Sequence, residues 1–157
     1  MAYEHRIIRR VEFSETDMAG IMHYSNFFRF METAEHSFYR SLGFSVVLKE
    51  QNPPLGFPRV QAACEYKKPL RFEDEVEVHL LVREKKSKAL SYRFLFRNLS
   101  RAPQEEAATG SLTIVCVTHG PGGKMMAVPI PNFIADQIEV APPEMLEGPS
   151  TVKRTEV

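Results

Sequence analysis

Residues 11–35, VEFSETDMAGIMHYSNFFRFMETAE, hold the groups best placed to do chemistry. A short alternating strand ends near Phe13. A tight loop then carries Asp17 three residues before Gly20, and an aromatic-rich helix begins at about Asn26. This order sets a carboxylate close to a helix N-terminus in apolar surroundings. Helix N-termini have unpaired backbone N–H groups and a partial positive charge. Such a place can hold a developing oxyanion while an acid acts beside it. The pattern predicts acyl-transfer chemistry, with hydrolysis of a thioester first among the candidates. Gly20 suits a positive φ and lets a substrate carbonyl approach the backbone closely. Taken alone, Asp17 would also be an ordinary turn residue.

The elements that position these groups follow from periodicity. A first strand is predicted over roughly 4 to 13 and a helix over about 26 to 42. Phe27, Met31, Ala34, Phe38 and Leu42 recur every three or four residues, the mark of a buried helical stripe. Phe28 and Phe30 widen the stripe, so the helix needs wrapping rather than a flat partner. Ser25 or Asn26 suits the N-cap, and Gly43 suits C′. A Pro-rich loop, NPPLGFP, fills 52–58.

Four alternating strand patterns come next: Val60, Ala62, Cys64, Tyr66; Val76, Val78, Leu80, Val82; Leu90, Tyr92, Phe94, Phe96; and Leu112, Ile114, Cys116. Each reads as an antiparallel strand with one more buried face. The last is apolar on both faces, with Val115 and Val117, and is expected centrally or at a subunit contact. One greasy helix among such strands predicts an α+β fold, a curved antiparallel sheet wrapped around one long central helix. A single domain is expected over 1–140, with a loose Pro-, Glu- and Ser-rich tail over 141–157.

Composition sets the outer bounds. The chain has 157 residues, 43% hydrophobic and 25% charged, with 20 Lys plus Arg against 20 Asp plus Glu. That is enough chain for one domain with a real core. Zero formal charge provides no field toward nucleic acid or membrane, and near-neutral chains tend to associate. No apolar run approaches the roughly 20 residues of a membrane span. The start MAYEHRIIRR has no hydrophobic signal core, so a cytoplasmic location is expected. Cys64 and Cys116 read as two buried small apolar residues rather than a disulfide. No histidine or cysteine spacing suggests a metal site.

The pattern Asp17-x-x-Gly20-Ile21, Tyr24, Phe27, Glu32-x-Ala34 resembles the hotdog-fold acyl-CoA thioesterases. Among these it is most similar to the 4-hydroxybenzoyl-CoA thioesterase-like group. EYKKPLRFEDEVEV at 65–78 and ATGSLTIVCVTHGPGGKMMAVPIP near the end resemble later strands of that family. The similarity runs over about residues 3 to 132. It implies a hotdog fold, and Asp17 as the catalytic carboxylate, acting as nucleophile or as general base. It places the thioester carbonyl at the helix start, against backbone N–H groups near Tyr24. Short-chain acyl-CoA thioesterases of the Tol-Pal cluster carry Tyr then His where this chain has His23 then Tyr24. Tyr24 fits the 4-hydroxybenzoyl branch better.

The resemblance also implies a homodimer or homotetramer with sites at the interface. It implies no metal or redox cofactor, coenzyme A being part of the substrate. Met18, Met22 and Phe27 are candidate acyl-pocket walls, or else core, and His23 is a further substrate contact. Coenzyme A is phosphorylated, so basic residues are expected near the site mouth. Residues 82–101 carry seven Lys and Arg against one Glu. Lys67, Arg93 and Lys124 are the candidates for substrate binding, with Lys68 and Arg71 beside them. The aromatics at 92, 94 and 96 share a buried face with Leu90, which argues against stacking on RNA bases. Glu32 reads as a paired structural acid, and His36, His79 and His119 as residues outside the chemistry. Two competing readings stand beside the enzyme: a non-catalytic acyl-CoA-binding hotdog module, and a hotdog dehydratase, which would need a His–acid pair absent from the loop–helix segment.

Overall fold

The structure, a computed structural model, describes residues 1–147. Five strands form one antiparallel sheet: β1 (Glu4–Arg10), β2 (Arg59–Tyr66), β3 (Glu75–Lys85), β4 (Ala89–Asn98) and β5 (Glu105–Val115). Their order across the sheet is β1-β3-β4-β5-β2. The helix α1 (Ser25–Ser41) lies on one face of that sheet. A small hairpin, β6 (Val117–His119) and β7 (Met125–Ala127), and two single-turn helices, α2 (Asn132–Ala135) and α3 (Pro143–Leu146), complete it. This is the sheet-around-a-helix arrangement that the periodicity predicts.

The core forms where the stripe on α1 meets the inward residues of the sheet. Phe27, Phe30, Met31, Ala34, Phe38 and Tyr39 are buried, against Val76, Val78, Leu80 and Val82 of β3 and Leu90, Tyr92, Phe94 and Phe96 of β4. Each such large side chain contributes about 1.5–3 kcal/mol by leaving water. Gly110 lets the helix close on β5, since a Cβ there would stand 2.5 Å from the Met31 sulfur. Gly43 ends the helix at φ +91°, as its place after the stripe predicts. No helix among the described residues is long and apolar enough to cross a membrane.

Three expectations change. Ser25 and Asn26 do not cap α1, because Tyr24 occupies the N-cap position without a side-chain cap bond. Instead the Ser25 N–H donates to His23 Nδ1 at 3.3 Å, and Asn26 Nδ2 donates to the Glu15 carbonyl at 2.8 Å. Strand β2 does not bury a face, because it stands at the sheet edge, where α1 covers it only in part, and Val60 is 62% exposed. A bulge at Val60 also sets Arg59 opposite inward-facing Ile114. The loose tail does not begin at 141: Ala141 is buried, its N–H donates to the Val82 carbonyl at 2.8 Å, and Arg93 donates to the Leu146 carbonyl. Backbone pairing outweighs the Pro-rich composition there, and the rest of the expected tail, 148–157, lies outside the described residues. Strand β5 lies inside the sheet, between β4 and β2. Cys64 is half-buried and Cys116 buried, both free thiols.

Candidate active site

The loop that carries Asp17 is a miniature hairpin. Thr16 and Met22 bridge across it, the Asp17 N–H donates to the Ile21 carbonyl at 2.9 Å, and the Gly20 N–H returns to the Asp17 carbonyl at 3.0 Å. Gly20 sits at φ +76°, a conformation that a side chain would strain. The loop is fixed to the body by Met22 N–H on the Leu70 carbonyl at 2.7 Å and His23 N–H on the Glu15 carbonyl at 2.8 Å. The Asp17 carboxylate is anchored at one end: Oδ1 accepts from the Ala19 N–H at 2.8 Å. Oδ2 makes no hydrogen bond among the described residues.

Asp17 borders two clefts. The inner one, about 470 Å³, is walled by Met22, Tyr24, Phe27, Tyr66 and Leu70, with Lys67 and Lys68 at its side. Three aromatic rings meet there: Tyr66 stands edge-on to Phe27 at 4.9 Å and to Tyr24 at 6.5 Å. The outer one, about 720 Å³, runs past Met18, His23, Asn26 and Arg29. Between them begins α1. The Tyr24 N–H has no hydrogen-bond partner among the described residues, and it lies at the positive end of a 17-residue helix. A carboxylate with an unpaired oxygen, a free amide N–H and an aromatic cleft therefore converge on one turn of chain.

Of the residues singled out by sequence, Asp17, Met22, Tyr24, Phe27 and Lys67 share the inner cleft. Met18 and His23 share the outer one with Asp17. Met18 is fully exposed, at the rim of the outer cleft rather than in an enclosed pocket wall. The His23 ring stacks on Tyr24 at 4.5 Å and its Nδ1 lies 2.7 Å from Ser25 Oγ, a place at the helix start. Lys67 pairs with Glu106 at 3.3 Å. Arg93 and Lys124 do not join them. Arg93 points from the opposite face of the sheet, into a separate cavity of about 270 Å³ beside Arg83 and Ser111. Lys124 stands in the β6–β7 turn, where its carbonyl accepts from the Gly120 N–H; at the base of that hairpin Val117 bridges Gly56, and neighbouring Phe57 stacks on Tyr39 near the far end of α1. At about 1.5 Å per residue the helix alone separates the two ends by about 25 Å.

Lys68, named beside Lys67, also lies at the inner cleft; sequence reading missed Tyr66 and Arg29 as cleft residues, and it chose the wrong helix acid. Glu32 is exposed; the buried, paired acid is Glu35, which contacts Arg59 and whose Oε2 has no hydrogen-bond partner among the described residues. Burial, only partly offset by Arg59, pushes the Glu35 carboxyl up to about 7. Close by, the Tyr39 and Tyr92 hydroxyls share a 2.6 Å hydrogen bond, and burial raises both phenols. The signal was present: Glu35 falls four residues after Met31 and one after Ala34, on the apolar stripe. His79 is buried on the outer sheet face, 2.6 Å from Glu4, and burial lowers its pKa. No cluster of three or more His, Cys, Asp or Glu among the described residues is arranged to hold a metal.

The profile of the thioesterase-like superfamily matches residues 11–138. A protein of Aquifex aeolicus (strain VF5) named "Putative esterase" is 49% identical over 76 residues, 48% of this chain and 59% of its own length. The chain thus aligns with less than two thirds of that relative. A hypothetical protein of Aquifex aeolicus, solved by crystallography, superposes with a TM-score of 0.72 at 33% identity, over 83% of this chain and 96% of its own. A gentisyl-coenzyme A thioesterase superposes with a TM-score of 0.69 at 32% identity, over 82% of this chain and 98% of its own. With the sheet wrapped on α1 and the Asp17 loop at the helix start, these matches establish that the chain belongs to the thioesterase-like superfamily and has the hotdog fold.

Proposed function

We propose that the chain is an acyl-CoA thioesterase, hydrolysing an acyl- or aroyl-CoA to free acid and coenzyme A, with aroyl groups preferred. The observation that carries this reading is Asp17, bordering both clefts, with a carboxylate oxygen and the nearby Tyr24 N–H both without a hydrogen-bond partner among the described residues. In the reaction as proposed, the thioester carbonyl oxygen accepts a hydrogen bond from the Tyr24 N–H, supported by the positive end of α1. Asp17 then acts in one of two ways. As nucleophile it bonds the carbonyl carbon, the C–S bond breaks, coenzyme A leaves as thiolate and takes up a proton, and water cleaves the resulting anhydride. As general base it takes a proton from water, whose oxygen bonds the carbon while the thiolate departs and is protonated. No metal or redox group enters either route.

The ring edges of Tyr24, Phe27 and Tyr66 favour an aromatic guest in the inner cleft. The solved gentisyl-coenzyme A thioesterase, at 32% identity, supports the same preference. A homodimer, or a homotetramer built as a dimer of dimers, belongs to the proposal. Among the described residues strand β2 has a strand neighbour only on its β5 side, and its other edge lies beside the inner cleft through Tyr66. A second copy docked there would supply basic residues that one chain keeps at the far end of α1, Lys124 among them.

The test is release of free thiol from benzoyl-, phenylacetyl-, butyryl- and palmitoyl-CoA. Turnover is expected, with the two aromatic thioesters fastest. The Asx turn formed by Asp17 and Ala19 would serve a non-catalytic acyl-CoA-binding module equally well. Tight binding of these thioesters with no thiol released would decide for that second reading.

A further inference from the structure

Tyr66 ends β2, opposite Ala108 of β5, and reaches across to the start of α1. Its hydroxyl donates to the Tyr24 carbonyl at 3.1 Å, a contact between residues 42 apart in sequence. That carbonyl has a weak hold within its own helix: the Phe27 N–H meets it at 3.4 Å, near the limit of a hydrogen bond. The N-cap position has no side-chain cap either. On its other side the turn is held by His23 N–H on the Glu15 carbonyl at 2.8 Å and Asn26 N–H on the His23 carbonyl at 3.0 Å. The two peptides flanking the Tyr24 Cα are thus fixed from different directions. The sheet fixes one of them through a single phenol.

We propose that Tyr66 is a positioning residue: by holding the Tyr24–Ser25 peptide, the neighbour of the one that carries the Tyr24 N–H, its hydroxyl keeps that N–H aimed at the substrate carbonyl, and its ring is one wall for an aromatic acyl group. This rests on the reading of the Tyr24 N–H as oxyanion donor. The two functions belong to separable parts of the side chain. The hydroxyl acts on the transition state, where the oxygen carries its charge, and so on kcat. The ring acts on the bound acyl group, and so on KM. One hydrogen bond of this kind is worth up to about tenfold in a rate when its loss lets the donor drift.

The experiment compares wild type, Tyr66→Phe, Tyr66→Leu and Asp17→Asn in steady-state thiol release from benzoyl-CoA and butyryl-CoA, with thermal unfolding of each. Tyr66→Phe is expected to lower kcat about tenfold on both substrates, with KM within about twofold and an unchanged unfolding temperature. Tyr66→Leu is expected to lose the same factor in kcat and, in addition, to raise KM for benzoyl-CoA more than for butyryl-CoA. Wild-type kcat in Tyr66→Phe would overturn the proposal. So would a loss that tracks a lowered unfolding temperature, or one that falls on KM alone, since a merely structural tyrosine would behave that way. Asp17→Asn separates this from the underlying reading. If Asp17→Asn is inactive while Tyr66→Phe is normal, only the positioning role fails. If Asp17→Asn turns over normally, the catalytic reading fails with it.

Discussion

Replacing Glu35 with Gln removes one charge from the most enclosed acid among the described residues and leaves its shape. The carboxyl is fully buried, and burial raises its pKa from the ordinary 4.5 to about 7 even with Arg59 in contact. The charged and polar groups around it are Arg59 from β2, Glu32, His36 and Tyr39 from α1, and Tyr92 from β4. A folded-state pKa above the unfolded value means that the folded chain holds the proton more tightly. The associated stability is therefore fully present below about pH 4.5 and is lost as the pH rises through about 7. At about 1.36 kcal/mol per pH unit, the span from 4.5 to about 7 amounts to about 3 kcal/mol. Glu35→Gln cannot ionise, so its unfolding free energy lacks this descent. Arg59, whose side chain is 30% exposed, can turn to water when its partner is neutral. Urea unfolding of both proteins at intervals from pH 4.5 to 8.5 measures the effect. The difference between them should shift by about 3 kcal/mol in favour of Glu35→Gln across that range. Parallel curves for the two proteins would refute the reasoning, because the buried carboxyl would then not be what releases its proton there.

Gly20→Ala places a Cβ at φ +76° with no atom within 4 Å, so only backbone strain opposes it. It should cost about 1–2 kcal/mol of stability by thermal unfolding and lower kcat, because the hairpin relaxes around Asp17. His23→Ala removes the acceptor of the Ser25 N–H and should cost about 0.5–2 kcal/mol in unfolding free energy. Its effect on kcat should remain well below that of Asp17→Asn, which a thiol-release assay of the two variants compares directly.

The parts of this molecule that were legible in the sequence are those set by local pattern. The stripe from Phe27 to Phe38 and the alternations at 76–82 and 90–96 appear as α1, β3 and β4 with the expected faces buried. The spacing Asp17-x-x-Gly20 gave a turn with the glycine at positive φ. What was missed depends on tertiary placement. The run of cations from 82 to 101 carries no information about which face of a sheet it falls on, and Arg93 lies on the face away from α1. Tyr66 reads as one more alternating residue of a strand, and only the position of β2 at the sheet edge frees its hydroxyl to reach the helix start. Proline and glutamate around 142–147 suggest a tail, yet Ala141 is drawn onto β3 by one backbone hydrogen bond. Glu35 was within reach of the sequence, since helical spacing alone puts it among buried residues and leaves Glu32 outside.

Everything about the proposed chemistry depends on the Asp17 carboxylate rather than on the loop that presents it. Asp17→Asn keeps an oxygen for the Ala19 N–H and removes the charge. Its turnover of benzoyl-CoA, followed as free thiol beside an unfolding curve that matches wild type, is the direct measurement. The account predicts a fall in kcat of about a thousandfold or more. Thiol release near the wild-type rate would contradict it.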